Sequence, residues 1–425
     1  MSKLTFYNLK NNKVDNSLIF SLPVLFILIC INIIFQSEPM NDEIRYLNFA
    51  ENLIAGYYTN NLNPGFLWNG PGYPIILAIF LMLKTNFLAL KILNSFFIFF
   101  GTYNIFKKIK TNYLSFLLVF IFLFSDPFTI YSSNKLLTEA FSFFLMSIIL
   151  NLEIDSKGLK RFKDFFIAAL VIGFLMLTKV LFAYVLLLVF LSLIPLFVLK
   201  LSKDLKPIKL ILFSYIICLP YLIYTYSLTG KFFYWSDSGG SALYPMTTLY
   251  ENEYGDWFPA GLKIDDAFMD EKSLTTIPKK NNVGKNHGDF LNSISGLNGP
   301  ERDQALKRKA FENIKKNPLK YLKNIIYNFG RLSFRFPFSN RDLNPLLLIF
   351  LILRFSLFFI PLIVSIIFFL NKKRALSDYF KFSLLCSSII ISLLLSAESR
   401  MLFPFSPFII WLLNDFYLKN IKYKI

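Results

Sequence analysis

Charged side chains are scarce beside the long apolar runs of this chain, and those that occur there are of two chemically useful kinds. Carboxylates, which take up and return protons, stand at Asp42, Glu43, Glu51, Asp126, Glu139 and Glu398. Cations, which hold anions by charge-assisted hydrogen bonds, stand at Arg45, Lys91, Lys135, Lys179 and Arg400. A charge at mid-membrane costs about 2.5–3.5 kcal/mol on insertion scales, so each one needs a reason. Each also has a plain reading. Asp42 can cap a helix with Arg45 as its i, i+3 partner. Glu139 can sit at a helix N-terminus. Lys91 and Lys179 can snorkel along apolar surface. Glu398 and Arg400 can pair across a short turn, and Asp126-Pro127 can start one.

The elements that position these groups follow from composition. The chain has 425 residues, of which 55% are hydrophobic and only 17% charged, with 51 phenylalanines. Soluble domains carry about 25% charged residues. Successive apolar runs of 18 residues or more make it an all-α polytopic membrane protein, which excludes a soluble enzyme with one anchor. A formal charge of +18 does not make it a nucleic-acid binder, because the basic residues fall in short clusters between apolar runs. Cys30, Cys218 and Cys386 all lie inside such runs, so no disulfide framework is expected. One histidine, His287, rules out a zinc site of the usual composition, and its Gly/Asn-rich surroundings predict a solvated side chain with no role. No Gly-rich phosphate loop and no G-x-S-x-G occurs.

About ten transmembrane helices are expected, near 18–36, 88–106, 112–125, 136–152, 164–178, 180–199, 208–227, 346–370, 379–396 and 401–418. The first is read as a retained span and not a cleaved signal peptide, since no small-residue cleavage site follows it. Clusters at Lys107/Lys108/Lys110, Lys157/Lys160/Arg161/Lys163, Lys200/Lys203/Lys206/Lys209, Lys372/Lys373/Arg374 and Lys419/Lys422/Lys424 appear after every second span. By the positive-inside rule they are cytoplasmic, as are both termini. Residues 73–83 are apolar but too short to cross, and read as an interfacial or half-inserted helix on the outer face. The opposite, extracytoplasmic face then receives 37–87, the turns at 126–135, 178–179 and 396–400, and an insert over 228–345 of mixed structure. Three parts result: an N-terminal membrane module over 1–227 whose first outer loop is 37–87, the insert 228–345, and C-terminal membrane helices over 346–425. Within the first loop a helix from Asn41 or Asp42 to Gly56 is expected. On it Asp42, Arg45, Tyr46 and Phe49 share one face, and Leu47, Ala50 and Ile54 form an apolar side suited to the membrane surface. The second part of the insert, about 301–334, reads as one or two helices interrupted at Pro318.

The segment D42-E-x-R45-Y46, followed by G56-Y and G70-P-G-Y-P74, resembles the first outer loop of GT-C glycosyltransferases, polytopic enzymes that use polyprenyl-phosphate sugars. The likeness is nearest to the aminoarabinose transferase and protein O-mannosyltransferase group, in its bacterial branch. K91-I-L-N94, L136-L-T-E139, L177-T-K179 and E398-S-R400-M-L-F-P404 resemble further motifs of that family in the same order. Together they cover about 37–227 and 390–418; the insert matches nothing in it. One departure is clear. Aminoarabinose transferases carry a phosphate-contacting lysine where this chain has Asn69-Gly70, which leaves that role to Lys91, Lys179 or Arg400.

The resemblance implies a glycosyltransferase moving a sugar from a polyprenyl-phosphate donor to a lipid, glycan or protein acceptor, with inversion at the anomeric carbon. Asp42 is the expected base. Arg45, Lys91, Lys179 and Arg400 would hold the phosphate. Glu43, Glu139 and Glu398 would bind sugar hydroxyls or orient those cations, with Tyr46 in the same binding set. Asp42 and Glu43 diverge by about 100° on a helix, so they are no glycosidase-type pair. No cofactor and no metal is expected, although a carboxylate-bound divalent ion stays open because the family contains both kinds. Trp235, Tyr234 and Trp257 could stack on sugars or simply pack within the insert. Two other classes share the many spans: an O-antigen polymerase or ligase using polyprenyl-diphosphate glycans, and a lipid or sugar transporter. The first places arginines in its outer loops and lacks an acidic first loop; the second needs polar residues through the membrane depth. The absence of N-x-[ST] sequons and the heavy use of Phe, Ile, Asn and Lys point to a bacterial inner membrane.

Overall fold

The computed structural model describes residues 15–59, 66–109, 112–154, 158–199, 204–258, 283–339, 349, 352–353, 355–370 and 375–422. Of the expected cytoplasmic clusters, Lys110, Lys157, Lys200, Lys203, Lys372, Lys373, Arg374 and Lys424 lie outside them. Among the described residues the chain is helical and has no strand. The insert, expected to be mixed, is therefore helical and turn-built wherever it is described. In order the helices are α1 (Asn16–Ile34), α2 (Asp42–Ile54), α3 (Gly72–Met82), α4 (Phe87–Lys108), α5 (Tyr113–Phe124), α6 (Pro127–Asn134), α7 (Thr138–Asn151), α8 (Phe162–Thr178), α9 (Leu181–Val198), α10 (Lys206–Thr229) and α11 (Gly239–Met246). There follow α12 (Val283–Ser293), α13 (Gly299–Lys316), α14 (Pro318–Phe334), a π-helical turn Phe355–Phe359 leading into α15 (Ile360–Leu370), α16 (Leu376–Leu394), a 3-10 turn Ser399–Phe405 and α17 (Ser406–Lys422).

Helices lie over all ten apolar segments where these are described, and their described lengths differ. Among the described residues four are long and apolar enough to cross a membrane, namely α1, α4, α10 and α16. A fifth is available if α5 and α6, bent by 68° at their junction, count as one broken span. The bend has a local cause. Asp126 caps α6 by accepting from the Phe128 N–H at 3.0 Å, and Pro127 opens the new helix. The 126–135 segment is thus a short helix where the sequence pattern reads as a turn. α3 spans 11 residues, about 17 Å, which cannot cross a core of about 30 Å.

The membrane bundle has one contiguous apolar core. α4 packs against α1 and α7. At Gly101 a Cβ would meet the Phe143 ring at 2.4 Å, so this small residue sets the approach of α4 to α7. The described flanks of four basic loops gather at one end of the bundle. Lys206 Nζ donates to the Leu159 carbonyl, Asn151 donates to the Asn104 carbonyl at 2.8 Å, and the Ile154 N–H donates to Ser377 at 3.1 Å. The opposite end is tied by Asn32 of α1, whose amide donates to Ser95 of α4 at 2.8 Å and to Ser133 of α6 at 3.3 Å.

The insert has a small apolar core of its own, formed by Tyr244, Phe258, Leu291, Ile294, Ala305, Leu306 and Ala310. His287 belongs to it. Far from being solvated, it is 4% exposed, with its two ring nitrogens 2.8 Å from the Tyr244 hydroxyl and the Glu253 carboxylate. Burial works against the Glu253 charge, but hydrogen bonds from His287, Asn286 and Thr248 outweigh it and hold the carboxyl below its usual range. Trp235 is fully buried, with its backbone carbonyl taking the Tyr221 hydroxyl at 2.8 Å, and Tyr234 is buried beside it. Both pack within the protein and are not free to stack on a sugar, whereas Trp257 is exposed.

α2 runs as expected from Asp42 and ends before Gly56, whose φ of 91° suits glycine beyond a helix C-terminus. Its buried face is Glu43, Tyr46, Phe49 and Ala50. Ala50 therefore turns inward, and of the expected membrane-facing side only Ile54 is exposed. After the loop the chain passes tightly under the α8–α9 turn. A Cβ on Gly70 would lie 2.1 Å from the Leu177 carbonyl oxygen, and one on Gly72 would lie 2.6 Å from the Thr178 nitrogen. Backbone blocks both positions, so Gly70→Ala and Gly72→Ala should lower the folded, monodisperse fraction recovered in detergent. Gly296→Ala, with nothing within 4 Å, should leave that fraction unchanged.

Candidate functional site

At the end of the bundle away from the basic loops, side chains from four distant parts of the chain converge. Asp42 is the first residue of α2, preceded by Asn41 at φ 49° with no side-chain cap. Its Oδ1 lies 3.3 Å from Arg45 Nη1 and its Oδ2 lies 3.4 Å from Arg400 Nη1. Arg400 Nε is also 3.4 Å from Glu398 Oε2. These pairs are long, and Asp42 and Glu398 remain about one-third exposed, at 33% and 36%. Arg45 Nη1 and Arg400 Nε are buried and make no aligned hydrogen bond. The two guanidinium groups thus keep donor capacity that their carboxylates do not fill.

A second pair is tighter. Lys179, at the end of α8, lies 3.1 Å from Glu139, in the first turn of α7, and both are largely buried. Glu139 reaches Arg400 electrostatically as well. Burial opposes the Arg400 charge, but Glu398, Glu139 and Asp42 around it raise its pKa above the ordinary arginine value. These pairs comprise three carboxylates (Asp42, Glu139, Glu398) and three cations (Arg45, Lys179, Arg400), a locally neutral set.

Tyr46 closes the wall behind Asp42. Its hydroxyl accepts from the Asn69 amide at 2.9 Å, and its ring meets Tyr73 edge-on at 5.4 Å. Burial first, then the charges of Asp42 and Glu139, push its pKa up, so it stays a neutral phenol. Asn69 stands where the resemblance would put a lysine; its carbonyl accepts from Tyr58 at 2.7 Å and its side-chain oxygen is buried without a hydrogen bond.

Of the nine residues singled out from the sequence, seven share this neighbourhood: Asp42, Arg45, Tyr46, Glu139, Lys179, Glu398 and Arg400. Glu43 and Lys91 do not. Glu43 is 1% exposed and accepts from Lys135 at 3.1 Å, from the Leu136 N–H at 2.9 Å and from the Met40 N–H at 3.3 Å. Lys91 donates to the carbonyl and hydroxyl of Ser37 at 3.1 and 3.0 Å and lies over the Phe87 ring. Their bonds fasten α2 and its leading segment to α4 and the 135–136 strap. Two neighbours escaped the sequence pattern. Trp68 lies under the Arg45 guanidinium at 5.2 Å, and Tyr131 of α6 lies within electrostatic reach of Arg400, Glu398 and Asp42. Reading Asp126-Pro127 as a helix start and not a turn would have brought Tyr131 forward, one turn along that helix. Among the described residues no three of His, Cys, Asp and Glu converge as metal ligands.

The two kinds of pair differ in what they carry. Glu139→Gln leaves Lys179 buried without a counter-ion, a loss of about 3–5 kcal/mol for a broken buried pair. Asp42→Asn removes a long, part-exposed pair worth about 0–1 kcal/mol. In detergent the apparent Tm should fall clearly for Glu139→Gln and hardly move for Asp42→Asn; equal shifts would contradict this division. Compared with family models, curated proteins and solved structures, the chain matches none.

Proposed function

We propose that the chain is an integral-membrane glycosyltransferase that moves one sugar from a polyprenyl-phosphate donor to a hydroxyl of a lipid, glycan or protein acceptor. Ten crossings, with the basic ends in the cytoplasm and the Asp42–Arg400 end on the extracytoplasmic face of a bacterial inner membrane, complete the reading. The observation that carries it is the convergence of Asp42, Arg45, Lys179 and Arg400 at the end of the bundle opposite the basic loops. A donor whose tail stays in the bilayer can present its phosphate only at such a level. The ordered motifs that resemble GT-C enzymes lie on these same residues, Lys91 apart.

The chemistry follows from the geometry. Arg400 divides its charge between Asp42 and Glu398 at 3.4 Å, with donors to spare. An entering phosphodiester competes for Arg400 and Arg45, with Lys179 adding a third positive charge. As Arg400 turns to phosphate oxygen, Asp42 loses a partner and becomes free to accept a proton. The acceptor O–H gives its proton to Asp42, the oxygen bonds to the anomeric carbon, and the bond from that carbon to phosphate oxygen breaks. The polyprenyl phosphate departs with the electron pair, its extra charge held by the same cations. One displacement inverts the anomeric centre. Tyr46, kept neutral, and Glu398, part-exposed, are placed to contact sugar hydroxyls.

Asp42→Asn should lower transfer by about 10²–10⁴-fold at equal membrane abundance, the usual contribution of a general base. Mass spectrometry of lipid-linked sugars tests the reading. Cells lacking the protein and cells with Asp42→Asn should both accumulate one polyprenyl-phosphate sugar and lose one sugar from a surface glycan. Accumulation of a polyprenyl-diphosphate oligosaccharide, or full transfer by Asp42→Asn, would overturn it.

A further inference from the structure

α14 is built inside out. Its buried face carries Lys320, Asn324, Asn328 and Arg331, while its exposed face carries Leu319, Leu322, Ile326 and Phe329. A helix against water shows the reverse pattern. Each of the four polar side chains donates hydrogen bonds. Lys320 donates to the Glu253 carbonyl at 2.8 Å, Asn324 to the Met246 carbonyl at 3.0 Å, and Arg331 to the Tyr254 carbonyl at 2.7 Å and to Asn328 at 3.1 Å. The helix cannot turn its apolar side inward without leaving buried polar groups unpaired.

Its level and direction are given by one neighbour. Asn328 donates to the carbonyls of Ser392, Leu393 and Leu395 at 2.9, 3.0 and 2.6 Å, and the Tyr321 hydroxyl donates to the Leu394 carbonyl at 2.9 Å. Residues 321 and 328 are about 10 Å apart along α14. Both meet the same end of α16, a helix long and apolar enough to cross a membrane. α14 therefore crosses over the end of that span and does not run alongside it. A helix in this position lies in the interfacial plane. Lys315 and Lys316, exposed in the last turn of α13, adjoin its start with two positive charges, a complement to anionic headgroups.

We propose that α14 is seated in an anionic lipid leaflet, with Leu319, Leu322, Ile326 and Phe329 at the acyl-chain boundary, and that this contact positions Arg400. The link is Asn328, whose side-chain oxygen accepts from the Ala397 N–H at 3.3 Å, directly before Glu398 and Arg400. The seating stands whether or not the chain transfers sugar.

The test uses the full chain, with its three cysteines replaced by alanine, in nanodiscs of phosphatidylglycerol and phosphatidylethanolamine. A nitroxide is placed at Ile326→Cys, at Leu322→Cys as an independent second site, and at Glu312→Cys as an exposed reference on α13. The ratio of accessibility to oxygen over a water-soluble nickel chelate should be several-fold higher at 326 and 322 than at 312. Equal ratios would place the face in water and overturn the proposal. Spin–spin broadening between labels would overturn it in favour of a second copy of the chain. Exclusion of both reagents would overturn it in favour of cover by another part of this protein.

Discussion

Arg400 and Asp42 stand 358 positions apart in sequence and 3.4 Å apart in space. That contact depends on the rest of the structure, because neither partner can hold it alone. A long, part-exposed pair contributes little energy. The geometry must come from elements that are themselves fixed. α2 is fixed by Glu43, buried under Lys135 and the Leu136 N–H, and the loop after it is fixed by Gly70 and Gly72 against the α8–α9 turn. The other side is fixed by Asn328, which binds four backbone groups between Ser392 and Ala397. Two rigid frames thus present two side chains to each other across a gap that stays open to competition.

This separates structural charge from chemical charge. Glu43, Lys91, Lys135 and the buried Glu139–Lys179 pair have their bonds close to 3 Å. Asp42, Arg45, Glu398 and Arg400 have theirs at 3.3–3.4 Å, with guanidinium donors still unfilled. In the proposed reaction a phosphate enters the second set without dismantling the first. Lys179 belongs to both, since its partner Glu139 also faces Arg400. The insert takes part indirectly. Its own small core, its buried His287–Glu253 pair and the polar face of α14 lead to Asn328, and the Ala242 carbonyl of α11 accepts from the Ser396 N–H at 2.8 Å, so its folding reaches the segment before Arg400 by two routes.

Much of this was legible from residue types. The length of α3 follows from its short apolar run, the break between α13 and α14 from Pro318, and the end of α2 from Gly56. The gathering of the described flanks of four basic loops at one end follows from the recurrence of these loops after every second apolar segment. Other features were not legible, for physical reasons. Adjacent carboxylates at 42 and 43 look alike in sequence, and only the direction of α2 against α3 and α6 decides which is buried. Ala50 turned inward because Glu43, Tyr46 and Phe49 drew that face into the protein. His287 sits in a polar stretch, and its burial required Tyr244, Glu253 and Phe258 from other turns. α14 looks like an ordinary amphipathic helix, and which face meets the protein could not be told without its partners. The ten apolar segments are clear in sequence, yet among the described residues four or five are helices long and apolar enough to cross, since others, such as α7 with 14 residues, are short.

In the proposed reaction a phosphate-bearing lipid meets Arg400 beside Asp42. The most direct measurement is native mass spectrometry of the detergent-purified chain, comparing wild type, Asp42→Asn and Arg400→Ala. Asp42→Asn should retain a bound lipid whose mass is one polyprenyl chain, one phosphate and one sugar, and Arg400→Ala should lose it. Retention of the same lipid by Arg400→Ala, or recovery of a diphosphate-linked oligosaccharide instead, would contradict the proposed reaction.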